Sequence, residues 1–206
     1  MAFLEHLRAG SEHSELFEIT QSIMGFVPNS MLLMAERPEI LYSFSTLVTS
    51  IINPPVKVSK LKMLKIFIKQ ALAILKSKKQ RSGQLPIEIK WMVANVASKA
   101  SGCNYCQNHT QHSAHKYGVS SEKLDKLFEY KTSPLFSDGE RAALDLAMAG
   151  GSVPNYSSKE HFVELAKYFT KNEIIDIVAI ISLFGFLNRW NDTIKTDLEP
   201  IFKSTT

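Results

Sequence analysis

The chain has 206 residues, 45% hydrophobic and 21% charged, with a formal net charge of +4; that length can bury a sizeable core without disulfide staples, and that composition excludes a disordered chain. The charge is local: no acid lies between Glu39 and Glu88, whereas Lys57, Lys60, Lys62, Lys65, Lys69, Lys76, Lys78, Lys79 and Arg81 cluster there, leaving 15 basic against 20 acidic residues elsewhere. Such a balance excludes a general nucleic-acid-binding domain and points to one surface feature.

The opening "MAFLEHLRAGSEHSE" lacks the basic lead and unbroken apolar run of an export signal, so a cytoplasmic protein is expected. Residues 4–52 read as two or three helices broken at Gly25 and Pro28 and again before Pro38, and stopped by Asn53, Pro54 and Pro55. A basic helix over about 57–80 follows, with Ser59 as its cap and Leu61, Leu64, Ile68, Leu72 and Leu75 at helical spacing, which predicts an apolar face turned inward and solvated lysines outside. Docking of that helix on an anionic membrane or an acidic partner protein is the less favoured reading. After the break at "SGQLP", a helix runs from about Pro86 to near Gly102. A second helix carries "CQNHTQHSAHKYG" to Gly118, and "SSEKLDKLFEY" starts a third with a serine cap. "FSDGERAALDLAMAGG", capped by Ser137 or Asp138, and "SSKEHFVELAKYF" continue the style. The last long segment contains an apolar run at 177–187, shorter than the ~20 residues that span a bilayer, and is expected to be a central core helix. No strand pattern emerges. The fold class is all-α, and residues 1–206 read as a single compact domain with the basic helix as an insertion.

"SGCNYCQNHTQHSAH", residues 101–115, holds both cysteines and three of the six histidines. In a reducing compartment a Cys-x-x-Cys pair is more often redox-active or metal-binding than a structural bridge. Four helical ligands at three-residue steps, Cys103, Cys106, His109 and His112, spread over ~13 Å of axis and cannot converge on one tetrahedral ion. No metal is therefore expected. Dithiol chemistry asks for less: two thiols on the first turn of a helix come within disulfide reach, and the helix N-terminus favours a thiolate. His109 lies one turn beyond Cys106 on nearly the same face, a candidate proton partner, while His112 and His115 rotate away. The candidate catalytic set is Cys103, Cys106 and His109, with Cys106 favoured as the more accessible thiol, and the two sulfurs are expected in a pocket that small reactants can enter. Arg189 and Asp192 of "NRWND" are read as a structural pair across one helix turn, and Trp190 as an interface residue.

The stretch "KWMVANVASKASGCNYCQNHTQHSAHKYGVS" resembles the carboxymuconolactone decarboxylase and alkyl hydroperoxidase D-like family, all-helical proteins whose peroxidase branch carries Cys-x-x-Cys closely followed by histidine. "GFVPNSMLLMAERPEIL", "SDGERAALDLA" and "FLNRWNDT" resemble it more weakly. The resemblance implies a helical bundle and a thiol-dependent peroxidase or disulfide oxidoreductase. It would act on a peroxide or disulfide substrate, draw electrons from a dithiol donor such as a lipoyl group, serve a peroxiredoxin, form a homo-oligomer and need no cofactor. Two relay positions depart from the family pattern: Trp91 stands where a glutamate precedes the pair, and Thr110 where a histidine follows it. Neither Glu88 nor Glu140 matches the missing acid by position. A non-catalytic redox-sensing helical binding protein and a decarboxylase-like enzyme are the alternatives.

Overall fold

The computed structural model describes residues 11–52, 58–79 and 84–203, which form helices and connecting turns with no strand among them. The first ten residues, the Asn53–Pro54–Pro55 stop, Lys57 and Arg81 lie outside the described residues. The chain falls into two compact units, Met1–Gln84 and Leu85–Thr206, divided within the sequence's "SGQLP" break.

In the first unit, helices α1 (Ser14–Met24), α2 (Asn29–Met34), α3 (Pro38–Ile52) and α4 (Lys60–Lys79) follow one another. Gly25 ends α1 at φ +81°, a left-handed position that glycine reaches without the strain a Cβ brings. The core is small: Leu16, Phe17, Met31, Leu41 and Tyr42, with Ile66 and Ala73 of α4 packed against it. Ser59 caps α4 as its sequence suggests, its hydroxyl accepting from Lys62 N. The orientation of α4 reverses the expectation. Lys62 and Lys69 turn toward α1, where they meet Glu18 at 2.6 Å and Glu15 at 2.5 Å, while Leu61, Leu64, Ile68, Leu72 and Leu75 are half or more exposed. Two carboxylates on α1 offer the lysines partners, and a core this small accepts only two apolar side chains from α4.

The second unit contains α5 (Ile87–Ala100), α6 (Asn104–Lys116), α7 (Ser121–Asp125), α8 (Asp138–Gly151), α9 (Lys159–Leu165), α10 (Lys171–Ile194) and α11 (Pro200–Lys203). Seven consecutive residues of α5, Met92 to Ser98, are buried, so this helix is the centre of the unit. It packs on the alanine-rich face of α8 (Ala142, Ala143, Ala147, Ala149). The two backbones come so close that a Cβ on Gly151 would sit 2.7 Å from the Ala97 carbonyl oxygen. Ser137 with Glu140 and Thr170 with Glu173 form capping boxes that start α8 and α10. Only part of α10 behaves as the expected core helix: Ile174, Ile175 and Ile177 are buried, but Leu183, Phe186, Trp190 and Ile194 are exposed. No described helix is long and apolar enough to cross a membrane.

Candidate dithiol site

The α5–α6 corner sets the site. After α5 ends, Gly102 takes φ +78° and the amide of Cys103 donates back to Ser98 O at 3.0 Å, turning the chain sharply. Cys103 is thereby the N-cap of α6, and its sulfur accepts the Cys106 amide at 3.4 Å. Placement at a helix start and mutual proximity, both expected from the sequence, are what the chain adopts. Neither cysteine forms a disulfide in this structure.

Access differs from expectation. Cys103 is fully buried and Cys106 retains 3% of its surface, so the sulfurs do not line an open pocket. The cause is α10, which packs on α6 and brings Asn191 and Asp192 over the pair. Asn191 Nδ2 donates to Cys106 Sγ at 3.5 Å. Burial pushes the Cys103 thiol up to about 12; the Cys106 amide works against this, while the neighbouring Cys106 sulfur and the Asp192 carboxylate add to it. Cys103 is thus held as a proton donor toward its neighbours.

His109 does not approach either sulfur as closely as its own partners. Its Nδ1 donates to Tyr105 O at 2.9 Å, its Nε2 lies 2.9 Å from Glu199 Oε2, and its ring stacks on Tyr105 with centroids 4.1 Å apart. The Tyr105 hydroxyl donates to the other Glu199 oxygen at 2.8 Å. Glu199's own backbone N–H and the Tyr105 hydroxyl hold that carboxyl below the usual range. Phe202 of α11 covers His109 at 4.6 Å and meets His112 edge-on at 5.7 Å. The segment after α10 is therefore fastened to the face of α6 that flanks Cys106.

Residues at the departed relay positions have other work. Thr110, fully buried, donates to Cys106 O at 2.7 Å and accepts from Asn95 Nδ2 at 2.9 Å, tying α6 to α5. Trp91 stacks on Tyr117 at 6.0 Å. Glu140 closes its capping box and pairs with Lys123 at 2.6 Å. Asp192 faces Cys103 instead of Arg189. Sequence reasoning missed Asn191 and Glu199, since nothing local in "WND" or "DLEP" announces a sulfur or histidine partner 85 and 90 residues away. Among the described residues no three His, Cys, Asp or Glu side chains gather closely enough to hold a metal ion.

No protein-family profile matches the chain. The crystal structure of the debrominase Bmp8 is similar to it at 31% identity, covering 97% of this chain and 94% of that one, with a TM-score of 0.58. An alkylhydroperoxidase AhpD core, an uncharacterized peroxidase-related protein from Ralstonia eutropha JMP134, shares the fold at 21% identity over 94% of this chain and 88% of its own, TM-score 0.50. The chain belongs to the alkyl hydroperoxidase D-like family. Among curated proteins, the uncharacterized YnjA of Escherichia coli (strain K12) is 29% identical over 113 residues, 55% of this chain and 62% of that relative, so the matched region spans about three fifths of the relative's length. A cysteine-to-alanine variant of the debrominase Bmp8, solved in complex with 2,3,4-tribromopyrrole, is also similar, at 29% identity over the full chain.

Proposed function

We infer that this member of the family is a dithiol/disulfide oxidoreductase in which Cys106 attacks and Cys103 resolves. The carrying observation is the paired cysteines at the α6 N-terminus: Cys103 capping the helix, its sulfur accepting the Cys106 amide, with Asn191 donating to the Cys106 sulfur. With a hydroperoxide, the Cys106 thiolate attacks the outer oxygen, the O–O bond breaks, and the alcohol leaves after taking one proton. The Cys106 sulfenic acid then reacts with the Cys103 thiol to give the disulfide and water. A dithiol donor of the lipoyl type reduces this disulfide and closes the cycle; a peroxiredoxin disulfide would take the place of the hydroperoxide as the oxidant of the dithiol. His109, fixed by Glu199 and Tyr105, supplies or receives the proton after a local opening. Opening is a requirement of this reading, because both sulfurs are buried at rest.

A second reading is favoured by the likeness to the debrominase Bmp8 over nearly the whole chain. Reductive dehalogenation uses the same two electrons: the dithiol becomes a disulfide, the carbon–halogen bond becomes carbon–hydrogen, and halide leaves. Self-association belongs to the proposal as well, supported by the exposed stripe Leu183, Phe186, Trp190 and Ile194 on α10, whose spacing is that of one helix face.

The deciding experiment mixes reduced protein with an organic hydroperoxide or a bromopyrrole, regenerates with dihydrolipoamide, and follows donor oxidation. Repeated turnover abolished in both Cys103→Ser and Cys106→Ser supports the enzyme, and the preferred acceptor selects between the readings. One oxidation event without turnover identifies a redox-sensing binding protein, and turnover that survives loss of both cysteines identifies decarboxylase-like chemistry.

A further inference from the structure

Beside the buried dithiol lies a cavity of about 330 Å³, at the small end of the range that holds organic ligands, formed where the ends of α5 and α8 meet the second half of α10. Gly150 and Gly151 form part of its wall, and Ser101, Asn188, Arg189 and Asp192 supply the polar groups. Asn188 is the unusual member. It is 2% exposed, yet neither its Nδ2 nor its Oδ1 has a hydrogen-bond partner. A buried carboxamide normally has both ends satisfied, so a vacant donor and acceptor side by side mark a place where a ligand completes the pairing. Arg189, next in sequence and exposed, has no ion pair or side-chain hydrogen bond among the described residues. Its planar fork is therefore available to a carboxylate. Asp192 can only accept when ionised, which disfavours a second negative group in the ligand and favours a donor there. The same Asp192 carboxylate is among the groups that raise the Cys103 thiol, so the cavity and the dithiol share one side chain.

We propose that this cavity is the substrate pocket, and that its substrates are small carboxylates carrying a hydroperoxy group on the adjacent carbon. The carboxylate meets Arg189 and the Asn188 Nδ2; the hydroperoxy O–H donates to Asn188 Oδ1 or Asp192. As a substrate assignment this rests on the dithiol reading. Reduction consumes the O–O bond and two thiol hydrogens, and yields the 2-hydroxy acid, water and the disulfide. That hydroxy acid keeps the carboxylate and the neighbouring donor, and is a stable probe of the pocket.

Binding is measured in the Cys103→Ser/Cys106→Ser chain, which has no redox chemistry, by two-dimensional NMR titration with 2-hydroxy-4-methylpentanoate, its methyl ester, and 4-methylpentanoate. The expected result is saturable binding of the hydroxy acid that moves the Asn188 carboxamide and Arg189 signals, and at least about tenfold weaker binding of the two analogues, each of which forfeits a polar contact. Arg189→Leu and Asn188→Leu should each weaken the hydroxy acid by a similar factor. Equal affinity for the ester, or signals that move elsewhere in the chain, would overturn the assignment even if a variant fails to fold. Loss of peroxide turnover in the wild-type chain, by contrast, strikes the dithiol reading and leaves this binding result standing.

Discussion

At the scale of single residues, burial separates two cysteines that the sequence presents as near equals. Cys103 is sealed and held protonated, and Cys106 keeps a sliver of surface and receives a hydrogen bond at its sulfur from Asn191. Iodoacetamide should therefore alkylate Cys103→Ser through Cys106 at neutral pH, while Cys106→Ser labels only slowly until the solution is strongly alkaline. Equal rates in the two variants, read by intact mass, would remove the division of roles. The same shift has a stability consequence. A thiol raised from 9.0 to about 12 in the folded chain binds its proton more tightly than in the unfolded chain. Its contribution is thus intact below about pH 9 and lost as pH rises through about 12. Urea unfolding from pH 9 upward should show the wild type losing stability faster than Cys103→Ala, by at most about 1.4 kcal/mol per pH unit. The sequence told where the sulfurs lie along a helix, because capping and spacing are local. It could not tell their exposure, which α10 determines from more than 80 residues away.

At the scale of elements, two close approaches hold the site in place. Gly151 lets α8 press against α5 just before the turn that presents Cys103, and Ser101 fastens that turn by donating to Gly151 O at 2.7 Å. Alanine at 151 would gain helix propensity of up to about 1 kcal/mol. It would also force two backbones apart, and overpacking of this kind costs about 1–3 kcal/mol. Gly151→Ala should therefore be neutral to destabilising by up to about 3 kcal/mol in urea and should raise the labelling rate of Cys103; unchanged labelling would show that the corner relaxes without the sulfurs noticing. The segment after α10 is the second tie. Glu199→Gln keeps the Tyr105 hydrogen bond but weakens the His109 contact, so turnover should fall several-fold. Unchanged turnover, read as dihydrolipoamide oxidation, would show that this tie serves packing alone. Helix positions and caps in both units were legible, since serine caps, capping boxes and glycine stops are written in adjacent residues. The facing of α4 and of the second half of α10 was not. An apolar stripe states that a helix has a face for something, and α4 shows that lysine–glutamate pairing can claim the inward side instead.

At the scale of the whole molecule, every group assigned to the site belongs to one compact unit. Cys103, Cys106, His109, Asn188, Arg189, Asn191, Asp192 and Glu199 all fall within Leu85–Thr206. That unit has its own alanine-packed core around α5, whereas the described residues of the first unit rest on a cluster of five buried apolar side chains and pairs of surface charges. A chain segment of this size buries enough surface to fold alone. The segment 85–206, expressed by itself, should keep a helical circular-dichroism spectrum, unfold cooperatively, and retain the order of labelling in which Cys106 reacts before Cys103. If it stays soluble and helical but the two thiols react alike, the burial of Cys103 depends on the first unit and the site is not self-contained. If both the labelling order and peroxide turnover persist, the residues before Leu85 serve something other than the dithiol chemistry, and the exposed leucines of α4 become the place to look for it.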